Sequence, residues 1–442
     1  MMTIYAARRL FLLVVLGLLP SSAALAAQNS SARAGSQGAH LQFVVLLSRH
    51  GVRSFIGRPD PYAKYAAAPW PHWNVPPGYL TAHGFRLMKL FGAWDRIQLS
   101  DEGLFAPSGC AGAARVAILA DSDQRTRLTG QALAQGMFPG CTIAVHALPQ
   151  GAHDPLFDPL GAGAVRPDYA LAAASIAGRI GGNPNNLTAA YRPQLEALDH
   201  ILAGCGRTRS ANQKRLSILS IPAAIHPGSG TYPVDLRGPV SAASTIVEDM
   251  LLEYTQGMNA ADTGWGCVNG ATLRYLMQLD TAFWRYRYRT PAIARMYASN
   301  LLDHILLAME QSVAGKAVAG APGRPGDRLL ILSGHDTNIA TVSGSLGLDW
   351  IVDGRVNDTA PGGALIFELW RSSRGEHFVR VYYTAQTLEQ MRQAQTLTPA
   401  HPPLRLPIFV PGCSGQDMSC PWQSFAAVVR RAINPAYVSA KP

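Results

Sequence analysis

An apolar run, Leu41-Gln42-Phe43-Val44-Val45-Leu46-Leu47, leads almost directly into Arg49-His50-Gly51-Val52-Arg53. A near-continuous apolar segment of this length reads as a strand buried on both faces of a parallel sheet, not as an alternating half-exposed one. A sheet of that kind needs helices on both sides, and it places ligands in the crevice at the carboxyl ends of its strands. The run therefore predicts an α/β fold whose ligand crevice receives two guanidinium groups and an imidazole within five residues.

The arrangement recurs. Ala113 to Ala120 reads as a second strand, ending in Asp121-Ser122-Asp123-Gln124-Arg125-Thr126-Arg127 before a helical stretch to about Gln135. Arg328 to Ser333 reads as a third, ending in Gly334-His335-Asp336-Thr337-Asn338. Three strands that each end in Arg, His or Asp argue for one site built from strand ends. Such a site can perform phosphoryl transfer. His50 is the candidate nucleophile, forming a phosphohistidine that splits one difficult displacement into two easier ones. Arg49, Arg53, Arg125 and His335 are candidate phosphate ligands, because planar, permanently charged guanidinium groups match phosphoryl oxygens. Asp336 is the candidate proton donor to the leaving oxygen and, once ionised, the base that helps water attack. Three arginines supply the charge neutralisation, so no metal or other cofactor is expected.

These motifs resemble the histidine acid phosphatases, marked by R-H-G-x-R near the N-terminus and a later His-Asp pair. The likeness extends through Trp70-Pro71-His72-Trp73, Asp123 to Arg127, Asp154-Pro155-Leu156-Phe157, Gly334 to Asn338 and Pro361-Gly362-Gly363. It is greatest to the bacterial periplasmic branch of phytases and glucose-1-phosphatases. The resemblance implies the same roles for His50, Asp336, Arg49, Arg53, Arg125 and His335. It also implies a doubly wound, mostly parallel sheet flanked by helices, phosphoglycerate-mutase-like, with a smaller α-rich inserted domain. In one place the chain departs from the family: Ser54-Phe55-Ile56-Gly57-Arg58 replaces the usual Ala-Pro-Thr-Lys that follows the first motif. Phe55, Ile56 and Arg58 are thus candidate rim residues. Two of them are apolar where a phytase offers a hydroxyl and an ammonium.

The remaining sequence is consistent with an exported enzyme. Arg8-Arg9 precedes a short apolar run from Leu10 to Leu19 and a small-x-small site, Ala24-Leu25-Ala26, which read as a signal peptide over residues 1–27. The mature protein is then expected to be periplasmic or secreted, without a membrane anchor. Six cysteines in an exported chain imply disulfides, with fifteen pairings open on the sequence alone. The family resemblance pairs Cys110 with Cys141 and Cys413 with Cys420, which leaves Cys205 and Cys267. Charged residues are only 15% of the chain, and the formal charge of +10 is not gathered into one block. This speaks against a nucleic-acid partner, and the basic charge fits either a soluble basic enzyme or long-range attraction of small anionic substrates. A monomer is expected.

Two discontinuous segments, 40–165 and 290–437, are assigned to the catalytic α/β domain. Residues 166–289, with helical patches such as Ser241 to Tyr254 broken by Gly- and Pro-rich loops at Gly181–Asn186 and Pro227–Pro233, are assigned to the inserted domain. Thr81 is an expected helix N-cap, as is Thr290 ahead of Pro291. Ala364–Trp370 and His377–Tyr383 read as a hairpin extending the sheet. The chain has no Walker-type phosphate loop, G-x-S-x-G elbow, H-E-x-x-H helix or Cys-x-x-Cys pair. Phosphate-monoester hydrolysis, including that of inositol phosphates, is the resulting expectation. The alternatives are glucose-1-phosphatase-like activity, a phosphomutase, and a non-catalytic phosphate-binding protein.

Overall fold

The computed structural model describes residues 38–56, 60–206 and 215–439. The signal peptide and most of the leader lie outside them, as does Arg58.

Strand β1 (His40–Arg49) is the centre of an eight-stranded sheet. On one side it pairs in parallel with Leu329–Gly334, which pairs in parallel with β2 (Val116–Ala120), and this in turn with the short strand Val145–His146. On the other side it meets the hairpin Ala364–Arg371 and His377–Ala385 in antiparallel register, extended by Leu404–Ile408. The predicted second strand is shorter than expected, because Ala113–Arg115 forms a 3₁₀ turn and the strand begins at Val116.

The apolar run of β1 is buried because its alternate residues feed two cores. Phe43, Val45 and Leu47 face helices Pro291–Ala314, Asp336–Leu346 and Trp422–Ala432. Leu41, Val44 and Leu46 join Met88, Phe91 and Leu133 of helices Ala82–Asp101 and Gln124–Met137 on the opposite face. Of the two expected caps, Thr81 caps through its side chain, whereas Thr290 stands at the N-cap position without a side-chain cap bond, its Oγ1 donating to the Tyr286 carbonyl at 2.6 Å. Thr81 accepts a hydrogen bond from the Gly84 amide at 2.8 Å, and Pro291 opens its helix. Helices Pro239–Thr255 and Gly270–Arg287, with Arg192–Leu202, pack around a further apolar cluster to which Val52, Leu87 and Leu388 also contribute. The stretch Pro227–Pro233, read as a loop, belongs to a hairpin of Ala224–Ser229 and Tyr232–Arg237. Pro227 and Pro233 hid its alternation.

Disulfides join Cys110 to Cys141, Cys205 to Cys267 and Cys413 to Cys420. Among the described residues, no helix is long and apolar enough to cross a membrane.

Candidate active site

Sheet register assembles the site. Arg49 pairs with Gly334 and Ala120 with Ser333, so the segments after β1, β2 and Leu329–Gly334 leave the sheet at one edge. Main-chain bonds hold them there. The His50 amide donates to the Gly334 carbonyl at 2.9 Å, and the Asp121 amide donates to the Ser333 carbonyl at 3.0 Å. Pro361-Gly362-Gly363 clamps the first motif from the other side: Gly362 N–H donates to the His50 carbonyl and Arg49 N–H to the Gly363 carbonyl, both at 2.9 Å. Glycine is required where the backbones touch. A Cβ on Gly84 would lie 2.1 Å from the Val52 carbonyl oxygen, and one on Gly51 would lie 3.1 Å from the Gly84 carbonyl oxygen.

The motif Asp154 to Phe157 supports the His-Asp pair from below. Asn338 Nδ2 donates to the Phe157 carbonyl at 2.8 Å, while Asn338 Oδ1 accepts from the His335 amide at 2.9 Å. Gln124 ties the second motif to the chain ahead of Thr81, accepting from the Leu80 amide at 2.8 Å.

His50 is 1% exposed, and its Nδ1 lies 2.8 Å from the Gly51 carbonyl. A carbonyl can only accept, so Nδ1 carries the proton and Nε2 keeps its lone pair. Burial, followed by the charges of Arg125, Arg49, Arg53 and His335, holds this imidazole well below its ordinary 6.5. Both effects favour the neutral form of the ring. The His335 ring stands edge-on to it, with centroids 5.6 Å apart.

Around this ring the cations are held by acids. Arg49 reaches Glu248 and, at 3.0 Å, Asp336 Oδ2; its other amino group donates to the Thr359 carbonyl at 2.6 Å. Arg53 lies 3.0 Å from the same Glu248 oxygen. Arg125 pairs with Asp123 at 2.5 Å and lies 3.5 Å from His335 Nδ1. His335 Nε2 lies 2.6 Å from Asp121 Oδ2. The Nε atoms of Arg49, Arg53 and Arg125 are buried without a hydrogen-bond partner. Unpaired buried donors are costly, so a site with three of them suits an anionic ligand.

Asp336 opens the helix Asp336–Leu346, and its Oδ1 accepts from the Thr337 amide at 2.8 Å. Burial opposes its ionisation, yet Arg49, Arg53, His335 and the Thr337 amide outweigh it and hold the carboxyl below its usual range.

The six residues expected to form the centre thus come together: Arg49, His50, Arg53, Arg125, His335 and Asp336. Of the rim candidates, Ile56 is 49% exposed beside Gly78, where an added Cβ would lie 3.3 Å from Ile56 Cγ1 and 3.4 Å from Arg125 Nη1. Phe55 is half-buried, and its carbonyl accepts from the Gly78 amide at 2.9 Å.

Sequence reasoning assigned no role to Glu248, which bridges Arg49 and Arg53, or to Asp121. One signal for Glu248 was present: Glu248, Asp249 and Glu253 interrupt an otherwise apolar helix, Pro239–Thr255. Asp121, Asp123 and His335 also bring ligand-type atoms within 4.8 Å of one another. Each of these is engaged in the ion pairs above.

A family profile described as Histidine phosphatase superfamily (branch 2) matches residues 40–203 and 243–384. The chain is 33% identical over 406 residues to phytase AppA of Escherichia coli K12, covering 90% of this chain and 93% of that one. It is 27% identical to a glucose-1-phosphatase of Salmonella typhimurium, over 96% and 99% of the two chains. A Hafnia alvei phytase solved in complex with myo-inositol hexakis sulphate superposes with a TM-score of 0.83 at 32% identity, covering 91% of this chain and 99% of that one. The chain belongs to the histidine phosphatase superfamily, branch 2, and is a phosphoric monoester hydrolase.

Proposed function

We propose that the enzyme hydrolyses phosphate monoesters through a phosphohistidine on His50 Nε2. The observation that carries this reading is the 2.8 Å contact of His50 Nδ1 with the Gly51 carbonyl, which leaves Nε2 unprotonated in a ring that feels the charges of Arg125, Arg49 and Arg53. The Nε2 lone pair attacks phosphorus as the ester P–O bond breaks, and the Asp336 carboxyl gives its proton to the leaving oxygen. Water then attacks phosphorus, the P–N bond breaks, and the Asp336 carboxylate takes the water's proton. Arg49, Arg53, Arg125 and His335 bind the phosphoryl oxygens throughout, which is positioning and charge stabilisation. Because neighbouring cations keep Asp336 ionised, its proton must come with the substrate's negative charge or from an acidic medium. Activity is therefore strongest in acid.

The substrate range is broad, with phytate accepted but not strongly preferred. The phytase and glucose-1-phosphatase relatives support the range, and the apolar, exposed Ile56 beside Arg125 supports the lack of preference. Residues 166–289 act as an inserted, mostly helical domain that contributes Glu248. Export to the periplasm or medium is supported by the residue 1–27 pattern and three disulfides.

Acid-quenched transfer of labelled phosphate from p-nitrophenyl phosphate tests the mechanism. Wild type should carry label, and His50→Ala should carry none and turn over nothing. Label retained by the variant would place the nucleophile elsewhere.

A further inference from the structure

Asp121 has no part in the steps above, yet its Oδ2 lies 2.6 Å from Nε2 of a phosphate ligand, His335. Their nearness is set by the sheet, where Ala120 and Ser333 are register partners and each chain continues toward the same edge. Asp121 is 6% exposed and firmly held. Its amide donates to Ser333, its Oδ1 accepts from the Ser122 amide at 2.7 Å, and its carbonyl accepts from Thr126 Oγ1 at 2.8 Å. Asp123 is a poor substitute, being 3.6 Å from the same nitrogen and engaged by Arg125.

A carboxylate accepts, so Nε2 of His335 carries a proton toward Asp121. The ring is then fixed with Nδ1 on its other side, 3.5 Å from Arg125 Nη2. We propose that Asp121 is a positioning residue: by taking the Nε2 proton it sets the tautomer and orientation of His335, so that Nδ1 beside Arg125 is the atom presented to a phosphoryl oxygen. One proton then lies between Nδ1 and that oxygen. It arrives either on the oxygen of a monoester monoanion or on Nδ1 facing a dianion, and the two arrangements have the same composition. This inference rests on the phosphatase reading above.

The sign of the effect separates positioning from charge. A carboxylate near a phosphate site repels phosphate, so by charge alone its removal would tighten binding. If Asp121 acts through His335, its removal weakens binding instead. The experiment is calorimetric titration of inorganic phosphate into wild type, Asp121→Ser, His335→Ala and the double variant, each checked for folding by thermal unfolding. Serine is too short to reach Nε2 but can still cap the Ser122 amide; Asp121→Ala is the second variant and should behave with the same sign.

Asp121→Ser should weaken phosphate binding about tenfold, the loss of roughly one good hydrogen bond. In the His335→Ala background the same change should have no effect or tighten binding, because the pair acts as a unit. Unchanged or tighter binding by Asp121→Ser with His335 present, or equal losses in both backgrounds, would overturn the proposal. Wild-type turnover of p-nitrophenyl phosphate tests the phosphatase reading separately. Its absence would sink that reading, whereas turnover combined with the wrong sign in Asp121→Ser would sink only this one.

Discussion

Asp336 Oδ2 lies 3.0 Å from Arg49 Nη2, so the proposed proton donor is tied to a guanidinium that also reaches Glu248. This contact favours the carboxylate, and on the proposed mechanism a phosphoryl group that draws Arg49 toward itself favours protonation of Asp336. The acid and a phosphate ligand are in this way coupled.

That coupling predicts how Asp336→Asn behaves. The amide cannot give up a proton, but it can keep the contact with the Thr337 amide and the helix start. Phosphoryl transfer from p-nitrophenyl phosphate, whose leaving group needs no proton, should survive better than transfer from an alkyl phosphate. A general acid contributes about 10²–10⁴-fold, so the difference between the two substrates in kcat/KM, which reports the first phosphoryl transfer and not the later water attack, should fall in that range. Equal losses would make Asp336 a positioning group.

The pH profile follows from His50. Its imidazole is held well below 6.5 by burial first and Arg125 second. On the proposed mechanism the neutral ring is the nucleophile, so the acid limb of kcat/KM should lie well below pH 6.5. Arg125→Gln removes a positive charge, raises the His50 pKa and should move that limb upward in pH, while lowering kcat/KM by about tenfold or more through the lost phosphate contact. A limb that stays in place would mean that Arg125 does not help to set it.

Much of the centre was legible because it is local to strand ends. Arg49, His50, Arg53, His335 and Asp336 sit within a few residues of apolar runs, and a parallel sheet brings such ends to one edge whatever the intervening chain does. Glu248 was not legible in the same way. It reaches Arg49 and Arg53 from a helix outside the sheet, and no periodicity in Pro239–Thr255 says which neighbour an acid on it will meet. The hairpin Ala224–Arg237 was obscured by its prolines, which sequence rules assign to loops.

Two buried carboxyls should make stability rise as the medium becomes acidic, against the opposing effect of the buried neutral His50 below about pH 6.5. Burial pushes the Asp95 carboxyl up to about 8 against the opposing charge of Arg405, and burial pushes Glu253 up to about 8 against the Gly264 amide bond. Unfolded, these groups titrate near 4. Between these values the folded protein binds more protons than the unfolded chain. The stability they contribute is complete below about pH 4 and is lost as pH rises to about 8. Each can change the unfolding free energy by up to roughly 1.4 kcal/mol per pH unit in that window. Urea unfolding of wild type at pH 5 and pH 7.5 should show the protein more stable at pH 5. Asp95→Asn should flatten the dependence, and an identical slope in the variant would remove Asp95 from the explanation.

The loop after the first motif carries the prediction about substrate. Phytate bears six phosphates, and a site selective for it needs cations beyond those that grip the scissile one. Ile56, 49% exposed beside Gly78 and Arg125, offers none at that rim. Replacing Ile56-Gly57 by Thr-Lys adds a hydroxyl and an ammonium at the family's usual positions. One charge-assisted hydrogen bond is worth roughly 1.5–3 kcal/mol, so kcat/KM for phytate should rise by about tenfold or more. The value for p-nitrophenyl phosphate, which has no second phosphate, should change little. Parallel assays of both esters across acidic pH check this. A wild-type enzyme that already favours phytate by orders of magnitude would mean that cations elsewhere on the rim recognise the distal phosphates and that Ile56 is only a bystander.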